Sequence, residues 1–496
     1  MRERVTFVHP PDAGADQGLP EVRDMGFQGP PMLTTREDRL TFTLDELDEA
    51  QSRQLRAFDH LSIRWASPST YETLEPYASR LSPGLHLSFG SSSQNDSDIH
   101  YICSWLRSFG LSECPQSYNG LVKLNSSSAA NASAWYYFHI LEDLQTFIKS
   151  AQEVLCNEAD PICEARLHAL STAVALDVSF DAASEKLVVG ALTPLTEQVV
   201  LVPASSQRRV EVGIFTRGDP PSLKPHHLGV SGVLAVLGEH KTPSPTLFSY
   251  PARHRLSSSS FSSKFLQPTG THPTLQLTLN DNRPPNDEAT CRPYAHLTLP
   301  KSLFADRYQL VDDLFLASKN LTAAKYISSP VDLEAPSYTT EIWGSTVLLE
   351  MAPPDAGESV GWTVEVPLHL RYLEPTASGY ADVEVPYPAV FWACADEDGT
   401  DFSKSPFDRV HIGYDGLFDA NTVFWHATPS PETGSRLLNK ISVPVLKEDA
   451  TSWVRQGTPI VILLGFLWVL WRLVSAYMRT GYGGAPSSVE DNKKKQ

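Results

Sequence analysis

Near its C-terminus the chain reads Pro459-IVILLGFLWVLWRLVSAYM, ending at Met478. Those 20 residues span about 30 Å as a helix, the thickness of a bilayer's hydrocarbon core. From Pro459 to Trp471 no side chain is charged or strongly polar, so no face exists to meet water. This segment predicts a transmembrane helix over 459–478, and everything else must be arranged on either side of it. Trp468, Trp471 and Tyr477 place amphipathic rings towards one interface. Arg472, the one charge inside the span, would cost about 2.5–3.5 kcal/mol at a bilayer centre. Six residues from Met478, it can snorkel to the interface or meet a polar group on another membrane helix.

Orientation follows from the flanks. Arg472, Arg479 and Lys493 to Lys495 lie on the C-terminal side, against only Lys447 and Arg455 just upstream. The positive-inside bias puts tail 479–496 in the cytosol and the body across the membrane. Met1-RERVTFVHPPDAG has no apolar stretch of the signal-peptide kind, so the cysteines and sequons must supply independent support. All six cysteines precede the helix: Cys103, Cys114, Cys156, Cys163, Cys291 and Cys394. An even number in an oxidising compartment can form disulfides, and proximity suggests pairing them in that order, two by two. Four glycosylation sequons, at Asn95, Asn125, Asn131 and Asn320, also precede it. The sequence ends Lys493-Lys494-Lys495-Gln496. Lysines third and fourth from the end resemble the dilysine signal by which vesicle coat proteins retrieve endoplasmic reticulum membrane proteins.

The net charge is −18, from 40 basic and 58 acidic residues. An acidic body is repelled by nucleic acid phosphates and anionic membrane faces, which excludes nucleic-acid binding. With 38 prolines scattered along it, the chain is predicted to be mainly β, in an α+β arrangement. Strand patterns run from Ala173-VALDVSF through Lys186-LVVGAL, Gln198-VVLVPA and Arg209-VEVGIF. Later ones include Thr274-LQLTL, Tyr294-AHLTL, Ser345-TVLLEM, Thr363-VEVPLHLRY and Ala381-DVEVPYPAVFWA. Residues 1–50 read as irregular chain with short strands, and 80–130 as Ser-rich loops. Apolar residues at three- and four-residue spacing predict a helix from Ala134 to Leu155. Residues 241–273, Pro/Ser-rich, read as a linker. The expected organisation is an α+β domain over 1–240, a linker over 241–273 and an antiparallel, sandwich-like β domain over 274–450.

Chemical motifs are mostly decoys. Gly357-Glu-Ser359-Val-Gly361 fits the nucleophile-elbow spacing, but a strand pattern follows where a helix is needed, so it reads as a hairpin turn. Asp396-Glu-Asp398, with Asp401 nearby, matches the paired carboxylates with which some glycosyltransferases hold a divalent metal. His226-His227 lacks a further ligand at helical spacing. No catalytic, cofactor-binding or metal-binding residue is assigned.

Particular stretches carry a resemblance. Met1-RERVTFVHPP, Gly238-EHKTPSPTLFSYPARH, Phe304-ADRYQLVDDLFLA, Asp332-LEAP, Trp343-GS, Val366-PLHLRYLEP and Val385-PYPAVFWAC are similar to the PIG-X family, and in particular to its fungal protease B non-derepressible branch. The match is patchy at the N-terminus and dense from about residue 238 to the membrane helix. Membership implies a lumenal, glycosylated, single-span protein of the endoplasmic reticulum without cofactors. It also implies a non-catalytic, stabilising subunit of glycosylphosphatidylinositol (GPI) mannosyltransferase I, partner to a multi-span PIG-M-type catalytic protein. A second implied role is chaperone-like support of other secretory proteins, and a weaker alternative is a lumenal glycosyltransferase using Asp396 and Asp398. Tyr387 and Trp392, with Phe391 beside Cys394, form an aromatic cluster expected to touch the partner or to sit in the core; Arg472 is a second candidate contact. Endoglycosidase should increase the protein's mobility, and K493S/K494S should let molecules acquire later glycan processing. A protein without glycans would overturn the lumenal assignment.

Overall fold

The computed structural model describes residues 1–11, 20–23, 25–91, 94–124, 134–156, 161–221, 223–285, 290–328, 333–354, 361–396 and 399–481. Strands dominate it, as the alternating patterns predict. Among the described residues, the larger sheet takes twelve strands from the N-terminal half. They are β1 (Arg2–Val8), β2 (Glu21–Arg23), β3 (Gly26–Thr43), β4 (His60–Ala66), β5 (Gly84–Gly90) and β6 (Val122–Leu124). The set continues with β7 (Ala134–His139), β8 (Ala175–Asp181), β9 (Lys186–Pro203), β10 (Arg209–Arg217), β11 (His227–Val236) and β12 (Ser244–Pro251). Their order is β12-β11-β10-β1-β3-β9-β8-β4-β5-β7-β6, with β2 paired to β3. The pairing is antiparallel except for β1 beside β10. Residues 1–50, expected to be largely irregular, thus supply a central strand and the 18-residue β3. Register slips between Gln28 and Pro31, where consecutive prolines cannot donate to the ladder.

The C-terminal half forms β13 (His254–Phe265), β14 (Thr274–Leu279), β15 (Cys291–Pro300), β16 (Leu303–Phe304), β17 (Leu321–Ile327) and β18 (Gly344–Met351). It adds β19 (Trp362–Pro367), β20 (His369–Leu370), β21 (Tyr380–Pro386), β22 (Ala389–Ala395), β23 (Thr422–Pro429) and β24 (Leu438–Pro444). Eight of them make a sheet ordered β17-β18-β15-β22-β23-β13-β14-β19. Both sheets fall in one compact unit, Met1–Tyr372 with Val383–Ile441; Leu373–Asp382 and the chain from Ser442 form a second.

The segment read as a linker is folded. Residues 241–273 contain β12 and β13, one in each sheet. Pro245 and Pro251 are tolerated because β12 is an edge strand. In β13 the serines are small inward residues: Ser259 and Ser263 are buried with Phe261 and Phe265. The helix expected over 134–155 is split. Trp135 to Phe138 extend as β7 between β5 and β6, and helix begins only at Gln145. Four aromatic residues in a row fit a pleated surface better than a helix.

Helices α1 (Glu49–Leu55), α2 (Asp96–Ser108), α3 (Gln145–Leu155) and α4 (Pro161–Ala169) belong to the first half. The Ser-rich region 80–130 therefore holds β5 and α2 rather than loops alone. A capping box of Asn95 and Asp98 starts α2, and Ile99, Ile102, Cys103 and Leu106 pack on Leu85, Leu87 and Phe89 of β5. Gly84 opens β5 where no side chain fits: a Cβ there would lie 2.7 Å from the His139 carbonyl oxygen. Two further helices follow, α5 (Asp313–Ala317) and α6 (Glu448–Thr480).

Disulfides join Cys103 to Cys114, Cys156 to Cys163 and Cys291 to Cys394. The last links directly opposed residues of β15 and β22. Beside it, β22 is buried on both faces: Phe391 is 0% and Trp392 3% exposed. Alternation would turn one of these two outward from a half-solvated sheet, but here both faces are covered. Trp392→Ala should destabilise the chain itself by about 3–5 kcal/mol, measured as lower resistance to thermal unfolding in detergent. A variant of unchanged stability would show that this strand does not carry the core.

Candidate functional site

Several buried charged side chains link the two sheets. Arg64 of β4 lies opposite Asp177 of β8 in the strand register and ion-pairs with it at 2.7 Å. Arg409, from the loop before β23, reaches the other oxygen of Asp177. Burial pushes the Asp177 carboxyl up, but the guanidiniums of Arg409 and Arg64 outweigh it and hold the group below its ordinary value. Further links have the same pattern. Arg255 of β13 pairs with Glu75 at 3.0 Å, and the rings of His60 and His411 stack at 4.0 Å. His226, just before β11, lies 3.3 Å from Asp396 at the end of β22.

Four other histidines are buried in the strands around this seam. His86 of β5 bonds to the Tyr136 hydroxyl and the Ser82 carbonyl. The Nδ1 of His254 and the Nε2 of His426 are 3.0 Å apart, so a single proton lies between them. The ring of His296 of β15 lies 5.3 Å from that of Tyr414, tilted by 55°. Burial pushes His86 down to about 4, and His254 and His296 down to about 3; Arg253 adds to the effect at His254, and His86 at His296. His426 is lowered by burial and by His254. Sequence reasoning passed over this group; its signal was histidine on strands with buried neighbours, as in Leu85-HLSF and Tyr294-AHLTL.

The sequence-predicted site residues occupy different places. Asp396 is buried, accepts the Thr400 N–H at 2.8 Å and faces His226. Asp401 bonds to Ser403 and Lys404 of its own turn. Asp398 and the elbow-like Ser359 lie outside the described residues, and no metal-holding group of His, Cys, Asp or Glu occurs among those described. Tyr387 and Trp392, candidates for a partner contact, are 5% and 3% exposed. Trp392 is buried within its own strand and Tyr387 in the turn before it, so at this exposure both read as core side chains. Asn95 is exposed as the cap of α2, while the amide of Asn320 donates to the Thr363 carbonyl at 2.8 Å. Asn125, Asn131, Lys493 and Lys494 lie outside the described residues. Exposed apolar residues outside α6 include Tyr308, Val311 and Leu314, at three-residue spacing through the start of α5.

Helix α6 is the second candidate region. Its apolar part has a mean hydropathy of 2.0, and none of it is buried against the rest of the chain. Leu463, Phe466, Trp468 and Leu473 are all more than half exposed. Such a surface is at rest in lipid, not water, which fits a single-pass anchor. Arg472 projects from this helix, also exposed.

A family profile described as PIG-X / PBN1 matches residues 268–474, from just after β13 into α6. Protein PBN1 of Gibberella zeae is 51% identical over 498 aligned residues, covering 100% of both chains. The chain belongs to the PIG-X / PBN1 family. Protein pbn1 of Neurospora crassa is 45% identical across 99% of this chain and 98% of its own, and that of Emericella nidulans 34% identical across 95% of each. Because these relatives align from end to end, PIG-X / PBN1 character extends over the N-terminal sheet as well.

The buried histidines set a pH dependence. Their folded pKa values lie below the unfolded value of about 6.5, so the unfolded chain binds more protons in between. Stability is then fully present above pH ~6.5 and lost as pH falls towards the folded values, by up to about 1.4 kcal/mol per pH unit for each histidine. Thermal melts from pH 8 to pH 4.5 (~3.5 units) should show a plateau followed by a steep fall. A flat profile across the acid half would contradict neutral histidines in the interior.

Proposed function

We propose that this chain is a non-catalytic, stabilising subunit of GPI mannosyltransferase I in the endoplasmic reticulum membrane. Its partner in this reading is the PIG-M-type catalytic subunit, which adds the first mannose to the GPI precursor. The observation that carries the proposal is the end-to-end similarity to PBN1 proteins together with the PIG-X profile over the C-terminal sheet and α6. Three disulfides and the sequons support a lumenal body, and the lysine-rich tail supports retrieval to the endoplasmic reticulum. Engagement of Asp396 by Thr400 and His226 favours a subunit over an enzyme built on that acid.

Stabilising a multi-span partner requires binding its folded form in preference to its unfolded form, which shifts the folding equilibrium by mass action. A hundredfold excess over the dissociation constant contributes about 2.7 kcal/mol. Arg472 is the contact proposed inside the membrane, where a polar group on a neighbouring helix would offset its desolvation. Affinity purification of the full-length chain in mild detergent should recover the PIG-M-type protein, whose abundance should fall when this chain is depleted. D396N/D398N should leave mannosyl transfer intact. Loss of transfer in that variant, with the complex still assembled, would turn the assignment towards an enzyme.

A further inference from the structure

Around the short pair β16 and β20 the chain leaves outside apolar side chains that its interior does not need. Leu303 of β16 opposes Leu370 of β20, and Phe304 opposes His369. Three further segments are tied to this pair. Gln309, in the 3-10 turn before α5, has its side-chain oxygen 3.1 Å from Nε2 of His369. Arg371 donates to the Ala335 carbonyl at 2.8 Å, and its guanidinium carbon lies 4.5 Å from the centre of the Phe304 ring. The Ser337 N–H donates to the Tyr372 carbonyl at 3.0 Å. Leu303, Phe304, Leu310 and Leu316 are buried and fill this corner. Tyr308, Val311, Leu314, Tyr338 and Tyr372 are left over, from 54% to 85% exposed.

An apolar patch rimmed by polar groups marks a surface for protein or for lipid. Chain length here points to lipid, because it sets how far from the bilayer the patch can be. Four residues after Tyr372, Thr376 accepts the N–H of Glu448, the first residue of α6, at 3.1 Å. Four residues reach at most about 14 Å. From Glu448 the helix runs eleven residues, about 16 Å, to Pro459, where the apolar stretch begins. Trp453, 81% exposed, lies six residues before Pro459, at the depth of the headgroups. Tyr372 is thus tethered within reach of that layer. Composition agrees, since three of the five exposed residues are tyrosines, whose rings bury while their hydroxyls stay wet. The charges nearby select the lipid. Asp306 and Asp312 turn their carboxylates back on the N–H of Tyr308 at 2.8 Å and of Phe315 at 2.9 Å, while Asp313 stays exposed. These acids, on a chain of net charge −18, fit a zwitterionic leaflet and oppose an anionic one.

We propose that the patch of Tyr308, Val311 and Leu314, with Tyr338 and Tyr372, rests in the headgroup layer of a zwitterionic membrane. The body then meets the bilayer at a second place besides its helical anchor. Hydrogen bonds and strand pairing already fix the patch, so little ordering is required when it enters the lipid. This contact rests on α6 as a membrane anchor and is independent of the mannosyltransferase reading.

The test uses the full-length chain in phosphatidylcholine nanodiscs, some of whose lipids carry a nitroxide on the headgroup. All six native cysteines are in disulfides, so Asp313→Cys supplies one free thiol beside the patch for a bimane fluorophore. The nitroxide lipid should quench this label strongly and aqueous iodide weakly. Adding Tyr308→Ser, Val311→Ser and Leu314→Ser should lower the lipid quenching by on the order of twofold or more and raise that by iodide. Leu314→Asp alone should act in the same direction and serves if the triple variant fails to fold. Replacing half of the phosphatidylcholine with phosphatidylserine should weaken the lipid quenching; quenching that holds or grows there would overturn the zwitterionic assignment. A label quenched equally with and without the three serines would overturn the proposal. So would a label shielded from iodide without lipid quenching, which would assign the patch to a protein, either a second copy or a partner.

Discussion

Asp177 keeps its charge inside the protein only because two cations reach it from different directions. Arg64 comes from the neighbouring strand of its own sheet and Arg409 from the loop ahead of β23 in the other. A pair of this kind contributes little net stability against an apolar substitute, yet removing one member leaves an uncompensated buried charge. The N-terminal sheet therefore requires the C-terminal sheet to be present and in place. His226 with Asp396, and Arg255 with Glu75, repeat the dependence at other points along the seam. Each is a condition on geometry more than a source of free energy.

The C-terminal sheet depends on chain outside the family profile. The PIG-X profile begins at residue 268, but several side chains that complete the C-terminal sheet lie upstream of it. Strand β13 precedes the profile too, and it pairs in parallel with β23. A C-terminal sheet cut from its N-terminal half would lose a strand and expose buried ionic groups.

Legibility in the sequence varied with how far the governing interaction lay along the chain. Membrane helix α6 needed only its own composition. Strand β14 alternates because one of its faces is more deeply buried, so a local pattern suffices, whereas β10 and β15 are buried on both faces and read as near-continuous apolar or β-branched runs. Strand β13 was hidden because serine is usually a surface residue, and only its neighbours show why Ser259 and Ser263 face inward. In β7 the aromatic run suits two periodicities, and pairing with β5 decides between them. Trp392 could not be placed without knowing that β22 lies in the middle of a sheet covered on both faces. Asp396 could be matched to an acidic motif but its role could not be read, because its partner, His226, is 170 residues away in sequence.

Several acids of this body serve its own interior. Asp177, Glu75, Asp396 and Asp415 each hold a cation, a histidine or backbone N–H groups in place: Asp415 accepts the N–H of His411 at 2.7 Å and of Ile412 at 2.9 Å. Asp177, held below its ordinary value by the two arginines, is a poor proton carrier, since general acid–base work requires a group free to change charge near neutral pH. The same arrangement favours rigidity, because each ion-paired buried charge resists displacement from its partner. Rigidity is what a stabilising subunit needs, for an interface that is already ordered loses less entropy when it binds. The physical character of the seam and the proposed role in the membrane complex thus rest on the same property: charges matched inside the fold and held in one geometry.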